Sequence, residues 1–370
     1  MTLDELRGQI NDIDDQMLEL FVKRMDICYR VAEYKIENNL AVFHADREKQ
    51  IIDRVRSAVS EDMANPAEVL FTNIMDISKC KQFQRFFADL DGFESKPLDL
   101  MGSHSVAVPG TIGSYSHVAA KKLLPDSTPE FYESFAEVFK AVDEGRAEFG
   151  IVPIVNSTAG SVSQTYELMR KFDFNICACT KVAANHCFVT KHGTDISKIK
   201  NVYSHEQALM QCSKYIEEHG FKAHTYENTA LAAAYVLESD KPIAAICSEE
   251  CANHFGLDII DYGIANADCN FTKFILISKD ILLAEDADII SVSLSLPHQT
   301  SALYRLLTKF SVSGLNLTMI ESCPIANTDF DVLFYLDFEG SINSPDIIKL
   351  IRELESELSY FKFLGNYKEI

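Results

Sequence analysis

The chain has 370 residues, 47% of them apolar, which is enough for two or three domains with cores of their own. Its 34 basic and 55 acidic side chains leave a formal charge of -21. That balance excludes nucleic acid and anionic membrane surfaces as partners, and admits an anionic small molecule only where basic residues gather locally.

No apolar run approaches the roughly 18 residues of a membrane span. The start carries Asp4, Glu5, Asp12, Asp14 and Asp15 instead of a signal peptide's basic and apolar regions. The ten cysteines show only a lone Cys-x-Cys at Cys177 and Cys179. Reduced, mostly buried thiols in a cytoplasmic protein without a metal site are expected.

From Thr2 to about Phe87 the rhythm is helical. Leu3, Leu6, Ile10, Ile13, Met17, Leu20, Ile27 and Val31 recur at threes and fours, predicting one helix of about thirty-five residues. The loop "NNLAVF" precedes a second helix over 45–59, and Asn65-Pro66 reads as the cap and first turn of a third. One long and two shorter helices leave an apolar stripe uncovered, so a homodimer or a higher homo-oligomer is expected.

Arg24 and Lys35 are eleven residues apart and so lie roughly 20° apart around the first helix. Arg7 lies about 100° from Arg24 and can join the pair only from a symmetry partner's helix. Ser78 and Gln82 share a face of the third helix, and Arg47 and Glu48 begin the second. Each alone reads as a solvated side chain. As a set they resemble the all-helical chorismate mutases that occur fused to prephenate dehydratase, over nearly all of residues 3–88.

The resemblance implies an all-α mutase domain over 1–90. Arg7 of a partner chain, Arg24 and Arg47 would clamp the carboxylates of chorismate, with Ser78 beside them. Lys35 and Gln82 would donate to the breaking ether oxygen, and Glu48 would accept from the ring hydroxyl. His44 stands where the family has aspartate. The rearrangement is pericyclic, so it needs conformer selection and charge stabilisation, with no nucleophile, metal or cofactor.

"DGFESKPLDLMGSHS" is rich in Gly, Pro and Ser and reads as a linker over 91–103. Beyond it the strands "SVAVPG", "EFGIVPIV", "ICACTKVA", "HCFVT", "KNVYS", "IAAICS" and "FILIS" alternate with helices, an α/β pattern. Small polar residues cluster at predicted helix mouths: Ser114, Ser116 and His117; Asn156, Ser157 and Ser161; Ser204 and His205; Thr229. Plain N-capping explains any one of them, while several together can gather backbone donors for a carboxylate. Gly110 and Gly113 lack the dinucleotide fingerprint, and Ser114 to Ser116 form no hydrolase elbow.

"NFTKF" resembles the Thr-Arg-Phe motif of prephenate dehydratases, and "GSYSH", "VPI-NS" and "YSH-Q" follow that family's order. The resemblance covers 104–280 and implies an α/β, two-lobed dehydratase domain like periplasmic binding proteins. Thr272 would be the central catalytic hydroxyl. Ser114, Ser116, Asn156, Ser157, Ser204, His205, Gln207, Thr229, Asn270 and Lys273 would bind prephenate. Lys273 replaces the family's arginine, and Val155 replaces a glutamate.

After Asp288 the pattern becomes βαββαβ, with "IISVSLSL" alternating strictly between apolar residues and serine. "TSALYRLL" and "GLNLTMIESCPI" resemble ACT regulatory domains, implying an α+β ferredoxin-like domain over 288–370. There L-phenylalanine would meet Ala302, Leu303, Asn316, Glu321 and Ser322, with Cys323 where relatives carry arginine.

The combined resemblance implies a bifunctional enzyme taking chorismate to prephenate and then to phenylpyruvate, inhibited by L-phenylalanine. Two other readings stay open: a mutase with an impaired dehydratase, and a silent amino-acid sensor, the latter opposed by the full basic set in the helical segment.

Overall fold

The computed structural model describes residues 1–42, 44–87, 92–266, 270–325 and 332–370. Phe43 of the predicted first loop, the expected boundary at 90/91, Cys269 and Asp331 of the predicted "DVLFYLDF" strand lie outside the described residues. The chain divides into two compact units, Met1–Phe93 with Ile289–Phe363, and Glu94–Asp288 with Leu364–Ile370. The helical and βαββαβ segments thus share one unit.

In that unit α1 (Leu3–Glu37) starts with a capping box. The Thr2 hydroxyl accepts from the Glu5 amide at 3.2 Å and the Glu5 carboxylate from the Thr2 amide at 2.6 Å. Only Ala32 of this helix is buried, and Leu3, Ile10, Ile13, Leu20 and Ile27 are all exposed. α2 (Ala45–Ser57) and α3 (Glu61–Phe86) follow.

α3 begins four residues before the predicted Asn65. Ser60 is its N-cap, Glu61 and Asp62 suit the positive end of the helix dipole, and Pro66 lies inside. A proline so near the N-terminus removes a single intrahelical bond, and the Asn65 side chain accepts from Arg56 at 3.0 Å instead of capping. One face of α3 meets α1; another meets the Ala302–Val312 and Pro345–Glu357 helices.

Those two helices belong to a four-stranded sheet in the order Leu317–Pro324, Val332–Glu339, Ile289–Ser295, Phe361–Tyr367. Ile290, Val292 and Leu294 are buried as the alternation predicts. The serine face is closed as well: Ser291 donates to Asp337, and Ser293 lies 3.3 Å from the Tyr360 hydroxyl.

The other unit carries two sheets. The first runs Thr128–Tyr132, Ser105–Pro109, Phe149–Asn156, Phe271–Ser278, Asn175–Ala183, with Gly160–Ser161 paired to the third of these. The second runs Asp258–Asp261, Cys187–Thr190, Ala244–Cys247, Asn201–Ser204, Lys222–Thr225.

Phe274, Ile275, Leu276 and Ile277 are all buried because their strand is flanked on both sides and covered on both faces. Within the stretch read as a linker, Lys96–Pro97 pairs in parallel with Leu282–Leu283, and Leu98 and Leu100 pack on the core. Among the described residues no helix is long and apolar enough to cross a membrane.

Candidate active sites

The helical unit brings the predicted pairs together. Arg24 donates to the Ser78 hydroxyl and, at 3.3 Å, to the Ile74 carbonyl. Lys35 Nζ donates to the Val42 carbonyl at 2.6 Å and to Gln82 Oε1 at 3.4 Å. Ser78 and Gln82 are buried, so both donors act in a partly dry cleft. Burial also lowers the Lys35 ammonium below the ordinary lysine range, although Cys28 and Glu48 oppose the shift.

Two arginines stay outside this group within one chain. Arg7 is exposed and pairs with Asp4 at 3.4 Å, and Arg47 is exposed and donates to Gln50 at 3.3 Å. His44 is exposed at the start of α2 and makes no side-chain cap. Glu48 is held by Lys79 at 2.9 Å and faces Arg305 at 3.6 Å. Neither cation was singled out from the sequence. Lys79 and Asp76, three apart on α3, carried the available signal of a second polar face.

In the α/β unit a cavity of about 580 Å³ is lined by Ser114, Ser116, Asn156, His205, Gln207, Thr229 and Thr272, with Tyr115, Ser161 and His186. No lysine or arginine is among its lining residues. Helix N-termini occupy part of the wall. Ser114 caps the Tyr115–Leu123 helix, and Asn228, one residue before the predicted Thr229, caps the Thr229–Glu238 helix. Asn156 and Ser161 lie on strands, because the following helix starts only at Ser163.

Four predicted residues do not line this cavity. The Ser204 hydroxyl is buried in the second sheet and donates to the Ile246 carbonyl at 2.6 Å. Ser157 accepts from the Phe271 amide at 2.9 Å. Asn270 instead lines a neighbouring cavity of about 320 Å³. Lys273 alternates away from Thr272 along the strand, with its ammonium 5.6 Å from the centre of the Tyr367 ring. Val155 is its cross-strand partner.

Thr272 ends a chain of neutral hydrogen bonds whose directions are fixed by chemistry. Asn156 Oδ1 accepts from the amides of Thr158 and Ala159 at 3.0 and 2.8 Å, which settles the side-chain amide's orientation. Its Nδ2 therefore donates to Thr272 Oγ1 at 2.9 Å and to Asn270 Oδ1 at 2.9 Å. Among the described residues the Thr272 hydroxyl accepts without donating, so its own proton is available to the cavity.

Upstream, Thr158 donates to Asn156 at 2.7 Å, and Gln211 donates to Thr158 at 3.0 Å. Gln211 Oε1 accepts from Asn270 at 3.0 Å and faces His186 Nε2 at 2.9 Å. That makes Nε2 the protonated nitrogen of His186, and Tyr115 the donor to Nδ1 at 3.0 Å. Burial lowers the His186 pKa, which keeps the ring neutral. Thr158, His186 and Gln211 carry no motif of their own, and Tyr115 sits inside "GSYSH" without a role assigned there; only position in the folded chain joins them.

Of the residues expected to meet an effector, Ala302 lies in the first turn of its helix and lines a cavity of about 450 Å³. Leu303 follows it and is exposed. Asn316 donates to Glu339 at 3.0 Å. Glu321 and Ser322 sit on the outer strand opposite Tyr335 and Phe334, next to half-buried Cys323.

Two family profiles match the chain: chorismate mutase type II over residues 6–83 and prephenate dehydratase over 106–281. The bifunctional chorismate mutase/prephenate dehydratase of Escherichia coli K12 is 28% identical, covering 98% of this chain and 95% of its own length. The prephenate dehydratase of Methanocaldococcus jannaschii is 36% identical, covering 69% of this chain and 94% of its own. The crystal structure of an Arthrobacter aurescens prephenate dehydratase in complex with L-Phe superposes with a TM-score of 0.66 at 27% identity, covering 71% of this chain and 90% of that one. The chain belongs to the prephenate dehydratase family and carries a chorismate mutase segment of type II ahead of the dehydratase domain.

Proposed function

We propose that the protein rearranges chorismate to prephenate in its helical segment, and converts prephenate to phenylpyruvate in its α/β segment, under inhibition by L-phenylalanine. The observation that carries this reading is the Thr272 hydroxyl, oriented by Asn156 at 2.9 Å on the wall of a cavity lined by helix N-termini. Prephenate loses its ring carboxyl as carbon dioxide while hydroxide leaves, and aromatisation drives the step. The enzyme's task is to donate to the departing hydroxyl. Thr272 is a weak free acid, so it serves as a positioned donor, with the substrate's carboxylates against the helix N-termini.

In the helical segment Arg24 and Arg47 bind carboxylates, Lys35 and Gln82 stabilise the ether oxygen, and Glu48 accepts from the ring hydroxyl. The exposed aliphatic side chains of α1 are each worth about 1.5–3 kcal/mol when buried. They support a homodimer in which a partner chain's Arg7 completes the pocket. A two-lobed dehydratase domain over 104–280 and an ACT-type regulatory domain over 288–370 complete the assignment. Val155 and Lys273 sit opposite each other off the cavity, which favours a working dehydratase over an impaired one.

A coupled assay that follows chorismate loss and phenylpyruvate formation separately tests the proposal. Phenylpyruvate formed from either chorismate or added prephenate supports it. Chorismate loss with added prephenate left untouched supports the impaired-dehydratase reading, and loss of neither substrate supports the sensor.

A further inference from the structure

Beside the helical site lies a second polar cluster that the chemistry above does not use. α3 turns Asp76 and Lys79 roughly 110° away from Ser78 and Gln82, toward the Ala302–Val312 helix. There Arg305 grips Asp76 with two prongs, Nε to Oδ2 at 3.0 Å and Nη2 to Oδ1 at 2.8 Å. Asp76 is only 2% exposed. Burial pushes its carboxyl up, but Arg305 and Lys79 outweigh that and hold it below the usual carboxylate range. Lys79 bridges from Asp76 to Glu48 Oε1, at 2.9 Å to each, and Arg305 Nη2 faces Glu48 Oε2 at 3.6 Å.

We propose that Arg305 is a positioning residue for chorismate rearrangement: anchored by Asp76, its guanidinium fixes the Glu48 carboxylate in the orientation that accepts the substrate's ring hydroxyl. The inference rests on the mutase reading of the helical segment. Lys79 is a point charge on one oxygen of Glu48 and leaves the carboxylate free to rotate. A contact at the second oxygen, from a different helix, removes that freedom. A guanidinium suits the task because its five donors in a rigid fork hold both oxygens of Asp76 and still reach Glu48, whereas the Lys79 ammonium meets a single oxygen of each carboxylate. Arg305 also follows Ala302 and Leu303 by a single turn, so the segment assigned to effector contact adjoins the side chain that steadies Glu48.

The test uses the full chain and the variants Arg305→Lys, Arg305→Ala, Glu48→Gln and the double variant Arg305→Ala/Glu48→Gln. Arg305→Lys keeps a cation against buried Asp76, so it guards against loss of folding. Prephenate turnover, in which Arg305 has no part, reports the α/β unit of every variant, and the denaturant midpoint reports the unit that holds Arg305 and Glu48. Arg305→Lys and Arg305→Ala are expected to lower kcat/KM for chorismate roughly tenfold with prephenate turnover unchanged. In the Glu48→Gln background Arg305→Ala should cost little more, because both changes remove one interaction. Chorismate turnover within about twofold of wild type in Arg305→Lys and Arg305→Ala, or losses that simply add in the double variant, overturns the role. A wild-type chain that does not turn over chorismate overturns the mutase reading and this role together.

Discussion

The Thr272 hydroxyl accepts from Asn156, whose amide is pinned by the Thr158 and Ala159 backbone, so the hydroxyl's direction is set from outside the cavity. Thr272→Ser keeps the oxygen and should retain part of the dehydratase rate. Lys35 lends itself to a pH test. Burial lowers its pKa, and only the ammonium makes a charge-assisted hydrogen bond to the ether oxygen. As pH rises through that lowered value the donor is lost, so kcat/KM for chorismate should fall on an alkaline limb below the ordinary lysine range. Lys35→Arg, charged throughout, should remove the limb; an unchanged limb would assign it to another group. On the proposed ACT-type assignment Cys323 stands where an arginine would make one charge-assisted hydrogen bond, worth roughly 1.5–3 kcal/mol. Calorimetric titration should find L-phenylalanine bound by the wild type and bound one to two decades more tightly by Cys323→Arg, as about 1.4 kcal/mol per decade requires. At this scale the helix-face arithmetic for Arg24, Lys35, Ser78 and Gln82 was legible, since the spacing of one helix fixes direction. The chain from Tyr115 through His186 and Gln211 was not, because its members come from segments that meet only on folding.

Secondary-structure elements were legible where apolar spacing writes a pattern into them, on a buried strand and on a helix face exposed in the single chain alike. The 35 residues of α1 and the Phe271–Ser278 strand follow directly from apolar spacing. Three of the strands that the sequence does not announce, Thr128–Tyr132, Lys222–Thr225 and Asp258–Asp261, are sheet edges. An edge strand needs only backbone pairing on one side, so TPEFY, KAHT and DIID carry no clear alternation or buried run. α3 obscured its own start because Asn65-Pro66 imitates a helix beginning inside a helix already under way. The same helix docks on the C-terminal segment through Asp76 and Arg305, and a further buried charge pair joins the two C-terminal helices to each other. Lys309 pairs with Glu353 and, at 2.7 Å, with Glu357. Burial alone would lower the Lys309 ammonium, but the two carboxylates outweigh it and hold it above the ordinary lysine range. Lys309→Met strands Glu353, which is 3% exposed, and should destabilise the unit by about 3–5 kcal/mol in denaturant unfolding. A change below about 1 kcal/mol would mean the pair is solvated like a surface bridge.

Across the whole molecule, three sequence rhythms become two compact units, because the first and last segments share one core region built on α3. Composition and periodicity cannot reveal that association, since the charges involved read as ordinary solvated side chains in each segment taken alone. The exposed stripe of α1 and the isolation of Arg7 make a shared mutase pocket testable. Mixing an Arg7→Ala chain with a Lys35→Ala chain should restore chorismate turnover in some sites, and no recovery among proven mixed dimers would exclude sharing. The central claim is that one chain carries two chemically independent sites. It is tested most directly by measuring chorismate loss and phenylpyruvate formation side by side in the Thr272→Ala variant. The account predicts chorismate loss near the wild-type rate with phenylpyruvate formation from prephenate abolished; phenylpyruvate formed at the wild-type rate would contradict it.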